Sequence, residues 1–180
     1  NSRDGVRWSA PVVILSGRAQ RDLCYPDGGL SPSFVRINSV FHLWYVNAKS
    51  APNRIYHLQS RSVTSGWLVT DSTDLGAERP PRADIWHLNV VPSPDGTLLG
   101  LFTFTDSATT GKNCRLTLAV SNDTGKSWTV NDAWLLDHAD DRSAWDGNQI
   151  YRSGGYWDTE NGDWVFRLFY SGMRQATVHV

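Results

Sequence analysis

A polar turn ending in tryptophan occurs three times in this chain at nearly even spacing. The copies are Ser2-Arg3-Asp4-Gly5-Val6-Arg7-Trp8, Ser60-Arg61-Ser62-Val63-Thr64-Ser65-Gly66-Trp67 and Ser121-Asn122-Asp123-Thr124-Gly125-Lys126-Ser127-Trp128. Their tryptophans stand 59 and 61 positions apart, and a repeat of that length restricts the architecture before any strand is assigned. Each turn leads into an apolar run: Val12–Leu15, Leu68-Val69 and Trp134–Leu136. Arg54–Gln59 and Cys114–Val120 are strand-like stretches just upstream of two turns. Further upstream lie Val40–Val46, Leu98–Phe104 and Trp164–Tyr170, and a strand opens each repeat at Ser33–Ile37, Ile85–Val91 and Asn148–Arg152. Ser93-Pro94-Asp95-Gly96 and Glu160-Asn161-Gly162-Asp163 mark tight turns between them. Four short strands per repeat predict an all-β chain of four-stranded antiparallel propeller blades; a sandwich with accidental spacing is the alternative.

Composition agrees. Of the 18 acidic residues only Glu78 and Glu160 are Glu, and of the 17 basic residues only Lys49, Lys112 and Lys126 are Lys, so the good helix formers are scarce. Nine Trp, six Tyr and six Phe suit half-buried pleated surfaces. A formal charge of −1 gives no electrostatic basis for a nucleic-acid partner or a polybasic membrane anchor. No apolar stretch approaches the roughly 20 residues of a membrane helix. Cys24 and Cys114 make neither a disulfide framework nor a zinc ligand pair.

The repeat phasing divides the 180 residues into one propeller region. Residues 1–15 supply the end of one blade, 31–70 and 84–137 are whole blades, and 146–180 begin another. Ala176–Val180 fall in a third-strand slot, which residues 1–15 would continue. About three blades of an expected five are covered, so a longer parent chain or a partner subunit is expected to provide the rest.

Ser121-Asn122-Asp123-Thr124-Gly125-Lys126-Ser127-Trp128 matches the Asp-box pattern, Ser-x-Asp-x-Gly-x-x-Trp, whose Asp caps the turn and whose Gly takes a positive φ. Ser31-Pro32-Ser33-Phe34-Val35, followed by Phe41-His42-Leu43-Trp44-Tyr45, resembles the blade opening of five-bladed glycoside hydrolases, family 43 and its relatives in families 32, 62, 68 and 117. Ala83-Asp84-Ile85-Trp86-His87 resembles their middle acidic blade. Trp145-Asp146-Gly147-Asn148-Gln149-Ile150-Tyr151-Arg152, with Gly155-Tyr156 and Phe169-Tyr170-Ser171, is similar to their third. The resemblance implies three carboxylates at one mouth of a central tunnel: a base, a pKa modulator and an acid. It puts Asp84 in the modulator place and Asp146 in the acid place, where the family has Glu. Ser31 occupies the base slot, leaving Asp27 or a residue of another blade as the base.

Trp86, His87, Trp145, Tyr151 and Arg152 are the candidate sugar-binding residues, because rings stack on sugar C–H faces while Arg and His serve hydroxyls. Glu78 reads as a loop acid, Glu160 as a turn residue, and His42, His57, His138 and His179 as structural or surface. Asp123 reads as a turn builder. No cofactor is called for; a structural calcium has only the acidic run Asp137-His138-Ala139-Asp140-Asp141 to draw on. The arginine triad and Arg-Ile-Pro segment of sialidases are not recognisable. The expected activity is hydrolysis of an extracellular glycan, an oligosaccharide or polysaccharide. The alternative is a non-catalytic recognition or structural propeller, such as a virion-associated one.

Overall fold

The computed structural model describes residues 4–14, 29–48, 51–106, 113–138 and 145–173. Among these residues ten strands form three antiparallel sheets in which sequence neighbours pair. The first sheet contains β1 (Leu30–Ile37), β2 (Val40–Asn47), β3 (Arg54–Ser60) and β4 (Leu68–Thr73). The second contains β5 (Ala83–Pro92), β6 (Leu98–Asp106), β7 (Arg115–Ser121) and β8 (Thr129–Val130). A hairpin of β9 (Gln149–Glu160) and β10 (Asp163–Met173) is the third. The sheets meet through their first strands. Ser33 on β1 accepts the Val90 amide of β5 at 2.8 Å, and His87 on β5 lies 4.5 Å from the Tyr151 ring of β9. The three sheets resemble partial propeller blades, and the expectation of an all-β, blade-like architecture is met.

Packing explains the order. Trp44, Val46 and Ile55 of the first sheet share a core with Ile85, Leu88, Val90, Phe102 and Phe104 of the second. The opposite face of the second sheet presents Leu99, Leu101 and Leu116 to Ile150, Trp157, Phe166 and Leu168. Strand β6 is therefore buried on both sides from Leu98 to Thr105 and shows no polar alternation. Burying each of its large side chains contributes about 1.5–3 kcal/mol.

The Asp123 turn pins the first two sheets together. Its carboxylate accepts the Lys126 amide at 3.1 Å, the Ser127 amide at 2.9 Å and the Ser127 hydroxyl at 2.6 Å. Burial opposes ionisation, yet the bonds from Ser127, Ser121 and Lys126 hold the Asp123 carboxyl down at about 2. Gly125, at φ 83°, rests on Trp44 of the other sheet: a Cβ there would come within 2.6 Å of the indole nitrogen. That nitrogen donates to the Gly125 carbonyl at 3.4 Å. Trp128 is buried against Phe102, with ring centroids 5.0 Å apart.

Three details differ from the sequence reading. At residues 4–14 the turn forms, with Asp4 accepting the Val6 and Arg7 amides at 2.9 and 2.8 Å. The apolar run after it is not a strand over the described residues, and Trp8 is 70% exposed where Trp67 and Trp128 are buried. Such a turn forms from its own hydrogen bonds, whereas a strand requires a neighbouring ladder. In the second sheet the last strand is Thr129–Val130, not Trp134–Leu136, which keeps a single bridge from Leu136 to Leu116. The Thr117 hydroxyl reaches the Asn131 and Ala133 carbonyls, at 3.1 and 2.7 Å, and bends the chain away between them. Finally, β9 runs past Arg152 to Glu160, because Gly155 lets the Phe166 ring close on the backbone: a Cβ would lie 2.5 Å from it. Residues 176–180 and His179 lie outside the described residues.

Gly125→Ala tests the pin. The left-handed backbone and the collision with Trp44 together should cost about 2–4 kcal/mol. The expected readout is a lower urea midpoint with an unchanged m-value.

Candidate functional site

Two irregularities on the inner strands create the site. In β5, Ile85 pairs with Phe104 and His87 with Thr103, so Trp86 is an extra residue and the strand bulges. The bulge turns Ile85 and Leu88 toward the first sheet while Asp84 and His87 share the opposite face. Asn53 anchors it by donating to the Ile85 carbonyl at 2.8 Å. In β1, the ladder breaks between Leu30 and Ser33, and Ser31 takes a φ of 52°. That strained backbone aims the buried Ser31 hydroxyl at Nδ1 of His87, with which it hydrogen bonds.

His87 is the centre of the cluster. The Tyr151 ring meets it edge-on, and the Trp86 ring lies 6.0 Å away, also edge-on. Its Nε2 is buried and has no hydrogen-bond partner, as is the indole nitrogen of Trp86. Burial, and next the charge of Arg152, push the His87 imidazole down to about 4. The ring is thus neutral at ordinary pH. If the Ser31 hydroxyl donates to Nδ1, the ring proton sits on Nε2, a buried donor without an acceptor.

The two candidate carboxylates each have a local partner. Asp84 is paired with Arg79 at 3.4 Å. Asp146 accepts the Tyr170 hydroxyl at 2.8 Å, and this bond raises Tyr170 above its usual range. The Trp145 ring stacks on Tyr170 at 5.4 Å and is 56% exposed. Gly172 makes the approach possible, since a Cβ there would stand 2.4 Å from that of Asp146. So Trp86, His87, Tyr151 and the charge of Arg152 converge, while Trp145 and Asp146 form a second group with Tyr170 at the start of β9. Asp27 lies outside the described residues.

The other candidates fall away from this face. Glu78 accepts the Val130 amide at 3.1 Å, capping β8, and Glu160 is paired with Arg167 on the exposed hairpin. Two clefts, of about 530 and 640 Å3, lie beside the Ser60–Gly66 turn and beside the Ser93–Thr97 turn with Trp157 and Trp164. Both are remote from Asp84 along the strands. Among the described residues no group of three or more His, Cys, Asp or Glu side chains is placed to hold a metal ion. Among the described residues no helix is long and apolar enough to cross a membrane.

Sequence reasoning missed Arg79 and Tyr170 as partners of the acids, and the direct contact of Ser31 with His87. Contacts between β1 and β5 join residues 56 positions apart, and no local pattern signals them.

No protein-family model matches the sequence, and no curated protein matches it. Solved structures do. A family 117 glycoside hydrolase from the marine bacterium Zobellia galactanivorans superimposes with a TM-score of 0.57 at 13% identity, over 79% of this chain and 47% of that one. The exo-inulinase of Aspergillus awamori gives 0.54 at 15% identity, over 81% of this chain and 35% of that one. The chain therefore has the fold of part of these carbohydrate-active proteins, spanning less than half the length of either. At such identities the likeness speaks for the fold alone.

The His87 environment has a direct check. In an NMR pH titration its ring signals should move with a midpoint near 4, and Arg152→Gln should raise that midpoint by removing a cation. The sign for stability follows. The unfolded ring takes up a proton below about 6.5 and the folded one only near 4, so this residue weakens the fold as pH falls through that window.

Proposed function

We propose that this chain is the sugar-facing part of a carbohydrate-active propeller that hydrolyses an extracellular glycan. The observation that carries the reading is His87: a neutral, buried imidazole with an unpartnered Nε2, framed by Trp86, Tyr151 and Arg152 on the inner strands. Aromatic edges and faces suit sugar C–H surfaces, and Nε2 and Arg152 suit hydroxyls. The fold shared with known glycoside hydrolases supports the same substrate class.

Hydrolysis needs one carboxyl that gives a proton and another that activates water or attacks the sugar. In this reading Asp146 is the acid, with Tyr170 orienting it, and Asp84 is the modulator, held by Arg79. The base comes from Asp27 or from a blade supplied by a longer chain or a partner subunit. A second reading has a specific observation in its favour. Ser31, in the base slot, has its hydroxyl engaged by His87, which suits a site that binds glycan without cleaving it.

Reducing-sugar release from a panel of polysaccharides decides between them. Hydrolysis predicts release by the native protein and a loss of about 10²–10⁴-fold in Asp146→Asn, with glycan binding kept. Recognition alone predicts no release from any substrate, binding unaffected by Asp146→Asn, and binding lost in Trp86→Ala. Absence of both release and binding would overturn the carbohydrate reading itself.

A further inference from the structure

Away from the candidate site, the pin between the first and second sheets rests on two buried histidines. Nδ1 of His42, on β2, and Nε2 of His57, on β3, are 2.9 Å apart, a bond that needs one proton shared between two nitrogens. Both rings stack with Trp44, His57 at 4.5 Å and His42 at 5.5 Å. Trp44 is the residue on which Gly125 of the other sheet sits. The imidazole pair is therefore the floor beneath the Asp123 turn. His42 also lines a groove of about 480 Å3, with Asn38, Gln59, Asp123, Thr124 and Lys126, so the groove ends at the edge of the pair.

We propose that the His42–His57 pair is an acid-sensitive latch: neutral, it holds the Asp123 turn on the first sheet, and protonated, it releases it. Uptake of one proton places charge inside an aromatic stack, and uptake of another, so that both rings are protonated, sets two N–H donors face to face across 2.9 Å. The charged groups around it come from every neighbouring element. Asp71 on β4 has its Oδ2 3.8 Å from His57 Nδ1, both atoms buried and otherwise unpartnered. Asp123 and Lys126 belong to the turn, and their charges act on His57 in opposite senses. Strand β1 offers only Ser33, Val35 and Ile37 on this face.

Burial, then His42 and Lys126, depress His57 to about 3, and burial also depresses His42. An opened pair takes up protons near 6.5, whereas in the closed pair His57 does so only at about 3 and His42 below its ordinary value. Acid therefore favours opening, beginning below about 6.5. This inference is independent of the glycan reading, because it concerns the joint between sheets and not the inner-strand mouth.

The test follows the NOE between the Trp44 indole and the Gly125 α-protons from pH 7.5 to 4.5. The expected result is a reversible loss of that signal below pH 6.5 while the ladders within each sheet persist. His57→Phe, which keeps a stacked ring and takes no proton, should retain the signal to pH 4.5. His42→Gln, which keeps a hydrogen-bonding side chain, removes one of the two groups that take up a proton on opening. It should move the midpoint toward acid. A signal that survives to pH 4.5 in the native protein, or a midpoint that His42→Gln leaves in place, would overturn the latch. If His57→Phe fails to fold, the His42→Gln shift decides the question.

Discussion

Strand β6 is buried on both sides: Phe102 and Phe104 meet Trp44 and Ile55 on one, and Leu101, with Leu116 of β7, meets Ile150 and Phe166 on the other. That double burial fixes the stacking of the three sheets, and the stacking brings β1, β5 and β9 side by side. Each large side chain removed from water adds a few kcal/mol, so the stacked order outweighs any single turn or hydrogen bond. The polar groups that point into these interfaces are consequently few and mostly matched. Ser33 serves the Val90 amide, Asn53 the Ile85 carbonyl, and Thr117 two carbonyls.

Against that background the exceptions carry information. His87 Nε2 and the Trp86 indole nitrogen are buried without partners on the inner strands, and His57 Nδ1 faces Asp71 Oδ2 at 3.8 Å without bonding it. An unmatched buried polar atom costs about 1–3 kcal/mol. The first pair lies at the bulge of β5, beside Ser31 and Tyr151. The second lies at the joint between the first two sheets, beneath Trp44 and the Asp123 turn.

The carboxylates deserve separate treatment from the imidazole. Asp84 and Asp146 each have a donor of their own, Arg79 and Tyr170, whose pairing with the acids no motif signalled. A glycosidase needs such groups to orient its acids, and a lectin-like site tolerates them equally. Chemistry, not architecture, separates the two, which is why sugar release is the deciding measurement.

Sequence alone determined most of the strands and their order within a sheet, because alternation, Gly-rich turns and the recurring tryptophan are local signals that survive in one dimension. It also singled out Asp123 as a turn builder and Asp84, Trp86, His87, Asp146 and Tyr151 as residues near strand entrances. Tertiary structure alone decided what each of them touches. The bulge at Trp86 sets Asp84 and His87 on one face, where strict alternation would have separated them. The hairpin register sets His42 beside His57, 15 positions away, and sheet stacking brings Ser31 to His87. A slip of one residue in a ladder exchanges the two faces of a strand, and composition is blind to that slip. Pairings across sheets arise only when buried surfaces choose their neighbours, so the site had to be read from the folded chain.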